Sequence, residues 1–377
     1  MGVKIFACGD IVSTDAKDFL DDNIRKVVEN ADIAICNFEA SIKTDGAHPI
    51  KKAGPHLVQA PEMIPQLRKY GFDYVSLANN HIYDYGDIAM AHTMSMLEDH
   101  GLQYVGCGRD FAQTYQPKVV ETNGVKIGLI AGCENEFGCL DEDRGRSGYA
   151  WILHRSLEDC VRELKKNVDI VIVLAHAGVE NIDFPIKEWR EQYRRFCDIG
   201  ADVVIGHHPH VPQGYEKYGE SMIFYSLGNF YFDVDGFEKK SDDSYSVILD
   251  IEKDGLKDFD IIFHKKRNGQ LCIVKEDEVV YDMDHLNSLL GAEYERLNDT
   301  TSLCLFEKYY RGYYEEAMNG MLQKVTFIQG ITNIARKTFF PTKSIVERNL
   351  LLLHNIKIDS HRFVVQRALY LLTQKDE

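Results

Sequence analysis

The chain has 377 residues, 45% of them hydrophobic and 27% charged. That is the composition of an ordinary globular protein, long enough for two domains or for one large domain with an appendage. A formal net charge of −16 excludes a general nucleic-acid binder and argues against docking on anionic membranes, because both need basic patches.

Short apolar runs rich in β-branched residues alternate with amphipathic, helix-like runs over the first ~235 residues. Val3–Cys8 reads as a strand that begins without the apolar core of a signal peptide. Asp18–Asn30 reads as a helix, Ile33–Phe38 as a strand, Pro61–Tyr70 as a helix with Gly71 as its C-cap, and Tyr74–Ala78 as a strand. The helix Ile88–His100 follows, ending before Gly101. Val119–Thr122 and Val125–Ala131 flank Asn123-Gly124, a strong hairpin signal. Leu157–Lys166 and Lys187–Ile199 are helical, while Ile170–Ala175, Val203–Ile205 and Met222–Ser226 are strands. Residues 237–282 are expected to add strands, with turns at Asp254-Gly255 and Asn268-Gly269. From Met283 helix-like runs take over, for example Leu303–Met321 and Ser344–Asn355, with Pro341 breaking the chain between them. The expected organisation is one α/β domain over residues 1–282 and a helical extension over 283–377.

No stretch approaches the roughly 18 continuous apolar residues of a membrane span. The nine cysteines are scattered and form no C-x-x-C pair. They read as small buried residues in a reducing compartment, so the expected location is the cytoplasm, with no membrane anchor.

Five strands end in side chains that bind metals. Strand one ends at Gly9-Asp10, strand two at Asn37-Phe38-Glu39, strand three at Asn79-Asn80-His81, the strand near 170 at His176, and the strand near 203 at Gly206-His207-His208-Pro209-His210. Ligands of α/β sheets bind beyond the carboxyl ends of the strands. Carboxylate, amide and imidazole groups together make a mixed oxygen and nitrogen set that suits Mn, Fe or Zn. Each residue alone has a plainer reading, Asp10 as a turn or cap residue and Glu39 as a solvated carboxylate. Three of the chain's 14 histidines within four positions are hard to explain by packing.

These motifs, with His176-Ala177-Gly178-Val179-Glu180 and Ser226-Leu227-Gly228-Asn229-Phe230, resemble the CapA family of bacterial capsule and poly-γ-glutamate synthesis proteins, which is related to calcineurin-like metallophosphoesterases. The resemblance covers residues 1–260 or so and implies a four-layer α/β/β/α sandwich with two divalent metal ions at the strand ends. It implies that Glu39 bridges them, that Asp10 and His210 serve one, and that Asn80, His176 and His208 serve the other. His207 replaces His208 if the register differs by one. His81 would be the acid that protonates a leaving oxygen, with Asp84, Glu180 and Asn229 orienting the ligands. One position departs from the pattern, since Val12 stands where metallophosphoesterases carry a histidine in Asp-x-His.

The implied activity is hydrolysis of a phosphoester by a metal-activated water. Its alternatives are hydrolysis of amide bonds in an anionic polymer, or a non-enzymatic accessory role in polymer synthesis. The implied partner is a small phosphorylated substrate or an anionic polymer. Lys51-Lys52 and Arg194-Arg195 are the candidates for a basic face that could meet a polymer, against the plainer reading of solvated charges.

Overall fold

A computed structural model of the chain describes residues 2–234, 243–318 and 343–374. Two mixed sheets carry the first part. One is built from β1 (Val3–Ser13), β2 (Ile33–Phe38), β3 (Tyr74–Ser76), β4 (Gln103–Val105), β14 (Asn229–Asp233), β15 (Ser244–Glu252), β16 (Gly255–Arg267) and β17 (Gln270–Ile273). Its order is β17-β16-β15-β1-β2-β3-β4, with β14 also paired to β1. The strands β1 to β4 run parallel, and β15 to β17 complete the sheet antiparallel.

The second sheet has the order β12-β13-β11-β10-β7-β6. It comprises β6 (Lys118–Thr122), β7 (Val125–Cys133), β10 (Ile170–His176), β11 (Val203–His207), β12 (Tyr215–Tyr218) and β13 (Ser221–Phe224). A small third sheet joins β5 (Cys107–Gly108), β8 (Cys139–Leu140) and β9 (Gly148–Ala150).

Alternation along the strands explains how the two large sheets face each other. Ile127, Leu129 and Ala131 of β7 and Ile170, Ile172 and Leu174 of β10 share one core with Ile5, Ala7, Ile33 and Ile35 of the first sheet. On the other face of β7 stand Gly128 and Gly132. A Cβ at either would lie 2.8 Å from Leu164 or Leu157 of helix α5 (Arg155–Asn167). Before it come α1 (Asp22–Glu29), α2 (Met63–Tyr70), α3 (Gly86–Asp99) and the one-turn α4 (Phe111–Thr114); α6 (Lys187–Asp198) follows. Ile24, Leu67 and Met94 carry α1, α2 and α3 into the core. The result is the four-layer α/β/β/α sandwich implied by the motifs.

Two boundaries differ from expectation for local reasons. The first strand does not stop at Gly9-Asp10. It runs on to Ser13, because β14 pairs with its second half, and its register breaks at Asp10. The first helix starts at Asp22 rather than Asp18. Asp21 caps it by accepting from the backbone N–H of Asn23 and Ile24, and the Asp18 carboxylate is taken by Arg25 and the Tyr70 hydroxyl. The hairpin forms as read, with Asn123 and Gly124 at φ +49° and +76°.

Contacts divide the chain into two compact units, Met1–Ile50 with His56–Glu293, and Lys51–Pro55 with Tyr294–Glu377. Helix α7 (Met283–Ser288), which opens the expected extension, places Met283 and Leu286 in the core of the first unit. The second unit is helical over Tyr294–Leu305, Arg311–Met318, Ile345–Lys357 and Asp359–Thr373, with a π-helical segment at Phe306–Tyr310. Ser344, the expected start of one helix, is the N-cap of Ile345–Lys357 and forms a capping box with Glu347. Pro341, and the expected elements at 237–242 and 319–321, lie outside the described residues. Among the described residues no helix is long and apolar enough to cross a membrane.

Candidate metal centre

The predicted ligands reach the site from the carboxyl ends of both sheets. Asp10 sits in the bulge of β1, Glu39 follows β2, and Asn80 and His81 lie in the loop after β3. His176 ends β10, His208 and His210 follow β11, and Asn229 opens β14. None of Asp10, Glu39, Asn80, His176, His208 and His210 is more than 5% exposed. Six polar side chains so deeply buried need strong compensation from one another or from a ligand.

Close backbone approaches bring the loops together. A Cβ at Gly206 would lie 1.9 Å from the Tyr225 carbonyl oxygen, and one at Gly9 would lie 1.8 Å from that of Gly228. Only glycine fits either place. His208 and His210 hold φ at +93° and +58°, a region costly for a residue with a Cβ and concentrated at functional sites.

The Nδ1 atom of His210 lies 2.9 Å from the Asn229 amide oxygen and 3.4 Å from Asp10 Oδ2, and its Nε2 is 3.7 Å from Glu39 Oε1. An amide oxygen only accepts, so Nδ1 carries a proton, and Nε2, on the Glu39 side, is the nitrogen that could ligate a metal once its own proton is displaced. His176 Nε2 is 3.6 Å from Glu39 Oε1, 3.1 Å from Asn80 Oδ1 and 3.1 Å from His208 Nδ1. Two groups of donor atoms each fall within 4.8 Å of one another, Glu39 with His208 and His210, and Asp10 with Glu39 and His176. Glu39 belongs to both. The remaining partners are divided differently from the division that the resemblance implies, in which His210 goes with Asp10 and His208 with His176.

Glu39 is the electrostatic anomaly. It is fully buried, and neither carboxylate oxygen accepts a hydrogen bond. Burial, then the charge of Asp10, pushes its pKa well above the usual carboxylate range. Burial opposes the charge of Asp10 too, yet the hydrogen bond with His210, the charges of His207 and His210 and a hydrogen bond from Asn37 hold Asp10 low. Burial also opposes protonation of His210, but Glu39 and Asp10 raise it to about 10. His176 is pushed well below its ordinary value by burial and then by the neighbouring imidazoles. An orphaned carboxylate among oxygen and nitrogen donors fits a divalent cation.

His81 stands apart from the donor groups. Its Nδ1 lies 2.7 Å from Asp84 Oδ2, and the same oxygen accepts the backbone N–H of Leu57 at 2.8 Å. His207 is turned away, its Nε2 3.3 Å from the Cys8 carbonyl oxygen. Glu180 is exposed and reaches Glu39 and His210 through its charge alone. Val12 packs in an apolar cluster with Ala40, Leu57 and Phe232. The candidate basic pair at 194–195 is ion-paired, Arg194 with Glu216, which also takes Arg190, and Arg195 with Glu158, which also takes Arg162.

Two site residues escape the sequence reading. Asn37 donates to Asp10 Oδ1 at 2.8 Å and lies 3.2 Å from His176 Nδ1. It opens the Asn37-Phe38-Glu39 segment, and its place on a strand bound for the site is the available signal. Glu134 is fully buried, 3.5 Å from His208 Nε2, and accepts the backbone N–H of Gly178. It directly follows β7, whose end the apolar pattern places two residues early.

Residues 4–234 match the family model described as bacterial capsule synthesis protein PGA_cap. The chain belongs to this family. It is 28% identical over 257 residues to the capsule biosynthesis protein CapA of Bacillus anthracis, covering 64% of this chain and 62% of that one. It is 29% identical over 290 residues to the PGA biosynthesis protein CapA of Bacillus subtilis, covering 71% and 76%. Among solved structures, a phosphatase from Mycoplasma pneumoniae aligns with a TM-score of 0.44 at 15% identity, covering 70% of this chain and 93% of that one. A 5'-nucleotidase precursor from Thermus thermophilus aligns with a TM-score of 0.41 at 12% identity, covering 79% and 59%. The PGA_cap match runs from within β1 to just past β14 and contains every donor described above. The helices of the second unit lie beyond it.

Proposed function

We propose that the chain is a metal-dependent phosphoester hydrolase of the PGA_cap family, with two divalent ions, Mn, Fe or Zn, held around Glu39. The observation that carries this reading is the Glu39 carboxylate, buried without a hydrogen bond and common to both donor groups. Asp10, His176, His208, His210 and Asn80 would complete the two coordination spheres. Such ions, when bound, polarise a phosphoryl oxygen and lower the pKa of water. Asn37 and Asn229 hold Asp10 and His210 in orientation. Asp84 fixes the His81 ring, so that Nε2 is the nitrogen through which the imidazole gives a proton to the leaving oxygen.

A second reading, an accessory protein of polymer synthesis whose metal site serves binding, is favoured by Val12. An apolar side chain in a packed cluster occupies the position of an expected ligand. Elemental analysis of the purified chain, followed by Mn-supplemented assay of an aryl phosphate monoester and diester, separates the two. The hydrolase reading expects bound metal and turnover that falls roughly 10²- to 10⁴-fold in His81→Asn while metal content stays the same. Metal-loaded protein without turnover refutes it and leaves the accessory reading.

A further inference from the structure

The net charge of −16, which argues against an anionic membrane for the chain as a whole, is unevenly divided. The second unit, residues 51–55 and 294–377, holds 14 of the 43 Lys and Arg but only 9 of the 59 Asp and Glu. It is net basic, and the excess acid belongs to the first unit. Physiological salt screens exposed charges beyond about 8 Å. The sign of the local surface therefore decides what docks on it, rather than the sign of the chain.

Exposed apolar side chains are divided the same way. Among the described residues twelve large hydrophobic side chains are exposed, and nine of them belong to the second unit. The first unit has Ile88, Val119 and Val280, one each on α3, on β6 and ahead of α7, and single exposed apolar residues of this kind are ordinary. In the second unit they share a face. Ile345, Val346, Leu353 and Ile356 of the helix Ile345–Lys357 are between 48% and 68% exposed. At 3.6 residues per turn the four fall within an arc of about 100°, opposite the buried Leu351 and Asn355. Lys343 precedes this arc and Lys357 ends it. The next helix, Asp359–Thr373, exposes Leu369 and Tyr370. A helix that is apolar on its outer side as well as its inner one calls for a partner on the outer side.

That partner must be anionic and apolar at once. Two second units face to face would bury the apolar arcs but bring like charges together. The acidic first unit of another copy meets the arc with charge and, among the described residues, with no more than one exposed large apolar side chain per element. An anionic polymer supplies charge without an apolar phase. The interface of an anionic bilayer supplies both, and lysine and tyrosine suit it, because an apolar body carries a tip that reaches the headgroups. We propose that the helical unit docks peripherally on an anionic lipid bilayer through the outer arc of Ile345–Lys357. This docking is independent of the hydrolase reading.

Co-sedimentation of the full chain with lipid vesicles tests the proposal. One set of vesicles is phosphatidylcholine alone, the other equal parts of phosphatidylcholine and phosphatidylglycerol. The partition coefficient is expected to be at least about tenfold higher on the anionic set. On that set it is expected to fall about tenfold or more in the double variant Leu353→Gln, Ile356→Gln. A second double variant, Ile345→Gln with Val346→Gln in the first turn of the same helix, is expected to show the same loss. All four positions are exposed, and thermal unfolding that matches wild type shows that a variant is folded. Absent binding to the anionic vesicles, equal binding to the two sets, or anionic binding that the folded variants retain overturns the proposal. A wild-type dimer in sedimentation velocity that the variants convert to monomer assigns the arc to a second copy and overturns it as well.

Discussion

Glu134 closes the donor cluster from the side of the second sheet. Its Oε1 sits 3.5 Å from His208 Nε2 and accepts the Gly178 N–H at 3.2 Å. A carboxylate against one ring nitrogen selects the tautomer in which the other nitrogen, here Nδ1, offers its lone pair, and partners of this kind typically change metal affinity by ~10–100-fold. Glu134→Ala is therefore expected to weaken Mn binding in that range, measured by titration calorimetry. Glu134→Gln retains an acceptor for Gly178 and is expected to keep most of the stability that Glu134→Ala loses. Equal metal affinity in wild type and Glu134→Ala would reduce Glu134 to a packing residue. The candidate ligand histidines are legible in the sequence because they crowd a strand end. Glu134 and Asn37 are not, because an acidic or amide residue at a strand end is common and only its neighbours in space give it a role.

Strand ends set the geometry at the next scale. The β11 end and the Tyr225–Leu227 segment close up where position 206 has no side chain, 1.9 Å separating a notional Cβ from the Tyr225 oxygen. Gly206→Ala should force the two segments apart and destabilise the fold by ~2 kcal/mol or more, read as a lower urea midpoint. It should also disturb the left-handed turn at His208 and with it the metal content. An unchanged midpoint would mean that the backbone relaxes more easily than these contacts imply. Elements with strong periodicity or a turn code are readable in advance, among them the Asn123-Gly124 hairpin, Ile33–Phe38 and α6. Those made by pairing are not. The β14 strand exists because it lies parallel to β1 from Asp10 to Ser13, and β8 and β9 are two and three residues long. Nothing local marks either case.

For the molecule as a whole, buried neutral imidazoles govern the response to acid. His264 is enclosed by the hydroxyls of Ser244 and Ser246 at 3.1 and 3.0 Å, and burial lowers its pKa to about 3. In the second unit burial lowers His361 to about 3 and His354 to about 4. Below their ordinary values the unfolded chain takes up protons that the folded chain refuses. Stability is thus complete above pH ~6.5 and falls as pH drops toward the folded values. His264 alone accounts for ~2 kcal/mol between pH 7 and 5. Urea unfolding of the metal-free chain at the two pH values checks this, and His264→Gln is expected to shrink the difference. An unaltered pH dependence in that variant would place the acid sensitivity elsewhere.

The position of β1 has a consequence for how the protein is made. It leaves the ribosome ahead of the other strands of its sheet, yet its edges are covered by β2 on one side and by β14 and β15 on the other. At ~5–20 residues per second, some ~10–40 s separate the synthesis of Asp10 from that of Asn229. Throughout that interval the apolar run Val3–Cys8 has one edge open to any other extended chain. The donor cluster has the same timetable, because His208 and His210 are ~200 residues behind Asp10. A cation held by these donors could enter only a nearly finished sandwich, and a ribosome that stalls before the second sheet leaves a sticky half-sheet without the histidines of that cluster.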